Sequence, residues 1–150
     1  MKIGIACGGT GGHLFPGIAV GHALLARGHE VTLWVSGRDV EADGLRQWPG
    51  QTIKVPARGF SGGVFAKVAT CFHLVRAIRQ SWRVMRRGRP DAMLAMGSYA
   101  SVGPVLAAYL LRVPVVLHEA NATPGKAVTF LARFADEVCT TFEVTESLLR

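Results

Sequence analysis

The sequence is poor in cysteine and has no cysteine pattern typical of a cross-linked or metal-stabilised domain. Cys7, Cys71 and Cys139 are scattered over 150 residues without a CxxC pair, which argues against a disulfide framework or a zinc knuckle. The apolar run at the N-terminus passes into glycines after Ala6, so it is too short for a secretory signal. These absences predict a cytosolic protein in a reducing compartment.

Unbroken apolar stretches are also scarce. Residues 98–117 contain a single charge, but Pro104, Arg112 and Pro114 interrupt the stretch, so it predicts a buried helix followed by a buried strand rather than a membrane span. The composition, 49% hydrophobic and 18% charged, excludes a disordered tail or a collagen-like repeat. We therefore expect one globular domain over residues 1–150.

Acidic residues are absent from one long segment. Between Gly44 and Pro90 there is no Asp or Glu, whereas ten of the 17 basic residues lie there. The remaining basic residues are outnumbered by the acidic ones, so the net charge of +7 reflects this middle segment and not the whole protein.

Short β-branched runs alternate with helical patterns along the chain. Several runs, such as 113–117, are apolar on both faces, as strands covered by helices on either side must be. The alternation predicts an α/β fold with a doubly wound parallel sheet, Rossmann-like, whose ligands bind at the carboxyl ends of the strands. The predicted strands are Lys2–Ala6, Glu30–Val35, Thr52–Val55, Asp91–Ala95, Pro114–Leu117 and Glu137–Cys139.

A glycine-rich loop, CGGTGGH, follows the first predicted strand and precedes a helix. Its backbone N–H groups and the helix N-terminus can bind an anion such as phosphate. Leu14 stands where a GxGxxG motif needs its third glycine, and the Gly-Lys-Ser/Thr of a P-loop is missing, so neither common template fits. A tight turn without a ligand is the alternative. Pro16 is expected in the first turn of this helix and Gly28 at its end.

His13 closes the glycine loop. A histidine at a helix N-terminus is disfavoured as a cation, so it is expected to be neutral near pH 7 and able to accept a proton, as a general base must. A histidine that only caps the loop is an equally weighted alternative.

Two further loops follow later strands. Gly97, Ser98 and Tyr99 form a second strand-to-helix turn, where an anion or a sugar is a plausible ligand. His118, Glu119 and Asn121 follow the fifth strand; Ala122 excludes the HExxH motif of zinc proteases. The third loop alone is equally consistent with a helix cap, but all three loops are expected at the same edge of the sheet.

The basic segment contains a predicted helix, Phe65–Gly88, with two faces at about 100° per residue. One face is assigned to the core: Cys71, Leu74, Val75, Ile78, Trp82 and Met85. The other begins apolar and ends rich in arginine: Phe65, Val68, Phe72, Arg76, Arg79, Arg83, Arg86 and Arg87. This second face suits contact with an anionic membrane surface, the alternative being a solvated face. Nucleic acid is disfavoured because no stacking platform or helix-turn-helix pattern is present.

The motifs GGTGGHLFPG, EAD, MGSYAS and PVVLHEAN, in this order, resemble the N-terminal domain of the MurG family, within glycosyltransferase family 28. The resemblance covers nearly the whole chain. It implies the N-terminal half of a GT-B enzyme, a hexosyltransferase that works without a metal or other cofactor on the inner face of the bacterial cell membrane. The implied reaction moves N-acetylglucosamine, with inversion, from UDP-N-acetylglucosamine to the C4 hydroxyl of lipid I, giving the lipid II of peptidoglycan synthesis.

The resemblance also implies roles for individual residues. The first glycine loop would hold the acceptor pyrophosphate, and His13 would be the base that deprotonates the hydroxyl. The implied substrate-binding set is Gly9, Thr10, Gly11, Gly12, Gly97, Ser98, Tyr99, His118, Glu119 and Asn121. Ser98 replaces a glycine and Ala120 a glutamine that are usual in the family.

The family is about twice as long as this chain, which is expected to lack the C-terminal donor-binding domain and to be inactive alone. The chain is then either a fragment or one half of an enzyme whose donor half is a separate chain. A non-catalytic lipid-docking subunit that recruits a transferase is the alternative function. A nicotinamide-dependent dehydrogenase is disfavoured, because Leu14 breaks the fingerprint and no acid ends the second strand.

Overall fold

In this computed structural model the described residues are 1–37, 43–56 and 64–149, and for 64–68 only the backbone is described. They contain one six-stranded sheet in which every neighbouring pair is parallel, in the order β3-β2-β1-β4-β5-β6. The strands are β1 (Lys2–Ala6), β2 (Glu30–Val35), β3 (Gln51–Lys54), β4 (Ala92–Ala95), β5 (Val115–Glu119) and β6 (Glu137–Thr140). The predicted doubly wound, Rossmann-like sheet is confirmed; the bounds of β1 and β2 match the prediction, and those of β3 to β6 differ from it by one or two residues.

Helices connect the strands and cover both faces of the sheet. They are α1 (Gly11–Ala26), α2 (Val64–Arg87), α3 (Tyr99–Leu110), α4 (Lys126–Leu131), which continues into a 3-10 turn (Ala132–Phe134), and α5 (Glu143–Leu148). The predicted helix of the basic segment and the helix-then-strand prediction for 98–117 are confirmed. No helix of the described part of the chain is long and apolar enough to span a membrane.

The start of α1 differs from the prediction. The helix begins at Gly11, so Gly12 and His13 lie in its first turn and Pro16 lies in the second. Pro16 is tolerated there because only one intrahelical hydrogen bond is lost close to the N-terminus. Gly28 follows the end of the helix with φ +80, a left-handed conformation that glycine adopts without strain, so this part of the prediction is confirmed.

The core consists of two apolar layers, one on each face of the sheet. Ile5 and Leu33 pack with Leu14 of α1 on one face. On the other, Met93 and Leu117 pack with residues of α2, α3 and α4. Because successive strand residues point to opposite faces, the apolar runs of β1, β2 and β5 fill both layers at once.

The core face assigned to α2 is partly wrong. Met85 is buried as predicted, but Cys71 and Val75 are exposed, and Leu74, Ile78 and Trp82 are half-buried. The most buried line instead contains small residues, Thr70, Ala77 and Ser81. Small side chains face α3 because the two helices approach closely at Gly103, where an added Cβ would lie 2.7 Å from the Ala77 Cβ.

Candidate active site

The three predicted loops meet at one edge of the sheet, after the carboxyl ends of β1, β4 and β5. The first strand lies between β2 and β4, so the connections from β1 and from β4 diverge to opposite sides. Such a divergence leaves a crevice at the carboxyl ends of the strands, where ligands bind in open α/β sheets. The fold therefore positions the three loops around a common cavity.

The glycines of the first loop allow it to pack closely against β2. The N–H groups of Cys7 and Gly8 both donate to the carbonyl oxygen of Trp34. A Cβ on Gly8 would lie 2.5 Å from the backbone nitrogen of Ser36, and Gly9 has φ +123. Helix α1 then starts at Gly11, and the first N–H groups of a helix have no acceptor within the helix. The loop thus has the strand-to-helix geometry of an anion-binding turn, and anion binding itself stays a prediction.

His13 is held by the residue that precedes the helix. Its Nδ1 lies 2.8 Å from Oγ1 of Thr10. Burial lowers the pKa of His13 below its ordinary value, and the carboxylate of Glu119 opposes this effect. The imidazole is therefore neutral at pH 7. When Thr10 accepts the hydrogen bond from Nδ1–H, the lone pair is on Nε2, which is the arrangement a general base requires.

The second loop is tied to the first through Ser98. Gly97 has φ +88, and a Cβ there would lie 2.6 Å from Cγ2 of Val128, so this turn requires glycine. The Ser98 hydroxyl donates to the carbonyl oxygen of Gly8 and accepts from the N–H of Ala100 at 3.1 Å, capping α3. Ser98 thus links the two glycine loops.

The third loop is organised by Glu119, whose side chain is only 3% exposed. Its Oε1 accepts hydrogen bonds from the N–H and the Nδ2 of Asn121, at 2.9 and 2.7 Å. Its Oε2 accepts from the N–H of Gly125 at 3.0 Å. Thr145 of α5 is buried and donates to the carbonyl oxygens of Asn121 and Ala122. The carboxylate therefore holds the loop in shape as well as facing the cavity.

The loops enclose a cavity of about 320 Å³. Eight of the predicted site residues line it: Gly9, Thr10, His13, Gly97, Ser98, Tyr99, Glu119 and Asn121. Gly11 and Gly12 lie beside it in the first turn of α1. His118 is half-buried and alternates with the buried Leu117 and Glu119 along β5. Its side chain therefore lies on the face of the sheet opposite to theirs, and it does not line the cavity.

Several lining residues were missed by the sequence analysis: Ser36, Ala100, Gly125, Lys126 and Ala127. Ser36 follows β2, the neighbour of β1, and a search after every strand would have found it. Lys126 begins α4, immediately after the loop of Glu119, and its charge was the signal. Within the described ranges, no group of three or more His, Cys, Asp or Glu side chains could hold a metal ion.

The exposed face of α2 carries an open groove of about 570 Å³. Phe72 is 67% exposed and Val75 is 54% exposed. The groove is lined by Phe72, Val75, Arg76, Arg79, Gln80, Arg83, Val84 and Arg87. Val75 thus belongs to the face on which the sequence analysis placed the arginines, not to the core. The predicted Phe65 and Val68 lie outside the described side chains.

The arginines of this face lack acidic partners in the part of the chain that the structure describes. The ion pair recorded there joins Arg46 to Asp43, away from α2. Arg86 instead lies over the ring of Trp82, 4.7 Å from its centroid, a cation–π contact. The face therefore combines exposed apolar side chains with unneutralised positive charge.

Comparisons with a family model and with known proteins point to the same family. The family model described as "Glycosyltransferase family 28 N-terminal domain" matches residues 3–140. An N-acetylglucosamine transferase of Yersinia pseudotuberculosis, named for N-acetylmuramyl-(pentapeptide) pyrophosphoryl-undecaprenol, is 40% identical over 94% of this chain and 40% of its own length. The corresponding transferase of Geotalea uraniireducens is 42% identical over 95% of this chain and 40% of its own length.

Solved structures agree with the fold. The crystal structure of MurG from Acinetobacter baumannii matches 96% of this chain and 42% of its own chain, with a TM-score of 0.85 and 32% identity. A UDP-N-acetylglucosamine 2-epimerase of Listeria monocytogenes, with a TM-score of 0.75 and 14% identity over 99% of this chain and 41% of its own, shares the fold alone. The chain spans about two-fifths of the length of these relatives. It belongs to glycosyltransferase family 28, and its residues 3–140 form that family's N-terminal domain.

Proposed function

We propose that the chain is the acceptor-binding half of an inverting N-acetylglucosaminyltransferase of peptidoglycan synthesis. The acceptor is lipid I, undecaprenyl-pyrophosphoryl-N-acetylmuramoyl-pentapeptide, and the donor is UDP-N-acetylglucosamine. The observation that carries the proposal is the cavity itself, which brings a neutral histidine beside a glycine loop at the N-terminus of α1. The donor site belongs to the remaining part of such an enzyme, whether in the same polypeptide or in a separate chain.

In this reaction the first glycine loop binds the acceptor diphosphate and fixes the muramyl sugar near His13. Nε2 of His13 takes the proton of the C4 hydroxyl as its oxygen attacks the anomeric carbon of N-acetylglucosamine. The bond from that carbon to the diphosphate of UDP breaks, and UDP leaves with the electron pair. Because the hydroxyl attacks the face opposite the departing UDP, the configuration inverts. In this proposal the chain supplies the base and the acceptor site, and neither role requires a metal.

The test of the proposal is a chimera in which this chain replaces the matching N-terminal segment of the Geotalea uraniireducens transferase. We expect transfer from UDP-N-acetylglucosamine to a lipid I analogue, and His13→Ala should lower kcat by about 10²- to 10⁴-fold, the usual contribution of a general base. His29→Ala is the matched control, since His29 precedes β2 at the other end of the sheet. Near-normal transfer by His13→Ala would refute the role of the base.

We further propose that the exposed face of α2 docks on the anionic inner surface of the cell membrane, which is where lipid I resides. Apolar side chains enter the headgroup boundary, and each cation near the surface contributes about 1 kcal/mol. Phe72 and Val75 supply the first component, and Arg76, Arg79 and Arg83 the second. This face alone also supports the second candidate function, a non-catalytic lipid-docking subunit that recruits a separate transferase chain.

Sedimentation with vesicles containing anionic phospholipid tests the membrane proposal. Arg79→Glu combined with Arg83→Glu should weaken binding by at least about tenfold, because two attractive charges become repulsive. Arg27→Glu combined with Arg133→Glu makes the same change in net charge at two exposed residues that do not line the groove, and should have a much smaller effect. Equal losses in both pairs would mean that net charge and not this face drives binding. Transfer activity of the chimera would favour the acceptor-binding half of an enzyme over a non-catalytic docking subunit.

A further inference from the structure

Glu119 and His13 leave the cavity without a positive charge that could bind an anion. Glu119 lines the cavity as a carboxylate, and all three of its recorded hydrogen bonds come from uncharged donors. His13 is neutral at pH 7, because burial lowers its pKa. With these two groups alone the cavity would carry a negative charge, which repels the diphosphate that the glycine loops otherwise suit.

Lys126 supplies the missing charge. Of the described residues that line the cavity, it is the one with a permanent positive charge. It is the first residue of α4 and follows Gly125, whose N–H is bound to the carboxylate of Glu119 at 3.0 Å. The same carboxylate that makes the cavity negative therefore fixes the backbone beside the lysine that compensates it.

The ammonium group of Lys126 is available for a ligand. Its side chain is exposed, and no ion pair joins it to another of the residues that the structure describes. The glycine loops approach the cavity from β1 and β4, whereas Lys126 approaches from the loop after β5. A diphosphate in the cavity could therefore be held by backbone N–H groups of the first loops and by a point charge from the third.

We propose that Lys126 is a binding residue for the diphosphate of the ligand and that it determines the preference of the cavity for a diphosphate over an uncharged or singly phosphorylated group. This inference rests on the proposed function. Both the lipid-borne acceptor and the nucleotide sugar carry a diphosphate. Lys126 lines the same cavity as the first glycine loop, so we assign it to the lipid-borne diphosphate that this loop is proposed to bind.

The experiment measures binding to this chain by titration calorimetry with farnesyl diphosphate, farnesyl monophosphate and UDP. Lys126→Met should weaken binding of farnesyl diphosphate by about tenfold or more, the scale of a lost charge-assisted hydrogen bond. It should leave farnesyl monophosphate much less affected. Lys126→Arg should restore most of the affinity. Lys54→Met is the matched control, because Lys54 is an exposed lysine at the carboxyl end of β3 that does not line the cavity.

The outcomes separate the two proposals. Unchanged binding of farnesyl diphosphate by Lys126→Met, with the wild-type chain binding it well, overturns the role of Lys126 and leaves the acceptor site intact. Failure of the wild-type chain to bind farnesyl diphosphate overturns both. A loss confined to UDP supports a diphosphate contact but overturns its assignment to the lipid-borne ligand. Because Lys126 is exposed, the variants should unfold at the same temperature as the wild type, which circular dichroism verifies.

Discussion

At the scale of single residues, the cavity is lined by side chains from three loops, and His118, which the sequence analysis also placed at the site, does not line it. The spacing of motifs after three parallel strands was enough to place His13, Ser98, Glu119 and Asn121 around one cavity. It could not predict that Glu119 uses both carboxylate oxygens to hold its own loop, because hydrogen-bond partners depend on the path of a loop in space. It also missed Lys126, which carries no motif.

The protonation of His13 gives a prediction at this scale. Its pKa is lower in the folded chain than the ordinary value of about 6.5 that holds when unfolded. The unfolded chain therefore binds the proton more readily as the pH falls. The stability that neutral His13 provides is complete above about pH 6.5. This stabilisation is lost as the pH falls from about 6.5 to the pKa of His13 in the folded chain, and it does not decrease further at lower pH.

Urea unfolding of the wild type and of His13→Gln between pH 5 and 8 measures this effect as a difference. The free energy of unfolding of the wild type should fall more steeply towards pH 5 than that of the variant. The other titrating groups are shared and cancel in the comparison. Parallel curves for the two proteins would show that burial of His13 does not disfavour its charged form.

At the scale of elements, the prediction succeeded where the periodicity of apolar residues determines a strand or a helix. It failed where small residues form the buried side of a helix. The bounds of β1 and β2 and the extent of α2 follow from β-branched runs and helical spacing. The buried side of α2 cannot be predicted in this way, because Thr70, Ala77 and Ser81 are buried but only weakly hydrophobic. Small side chains are needed there because α3 lies close to α2. Hydrophobicity therefore favoured Cys71 and Val75, which the structure leaves exposed.

The close approach of α2 and α3 gives a prediction at this scale. Gly103→Ala would place a Cβ 2.7 Å from the Ala77 Cβ and 3.1 Å from its carbonyl carbon. The two helices must then separate, at a cost of about 1–3 kcal/mol in the free energy of unfolding, although alanine is the better helix former. Thermal and urea unfolding measure the change.

Gly88→Ala is the matched control for this substitution, since no atom lies within 4 Å of a Cβ added there. It should change the stability little. A Gly103→Ala variant as stable as the wild type would show that the helices have room at this contact, and the explanation of the small residues on α2 would be wrong.

At the scale of the whole molecule, the sequence predicts the fold class, the positions of the three loops and the basic segment. The α/β class follows from strands apolar on both faces, which only a sheet covered on both sides can accommodate. The location of the charge follows from the absence of acidic residues between Gly44 and Pro90, which the exposed arginines of α2 bear out. A single domain over the whole chain, and the identity of the ligand, stay predictions, because neither follows from the pattern of one sequence.

The most direct test of the account is a crystal structure of this chain with a water-soluble, short-chain analogue of polyprenyl-diphospho-N-acetylmuramic acid. We predict that its diphosphate lies against the first turn of α1, with the C4 hydroxyl of the sugar within hydrogen-bond distance of Nε2 of His13. An analogue bound away from the cavity at the carboxyl ends of β1, β4 and β5, or one whose sugar points away from His13, would contradict the account.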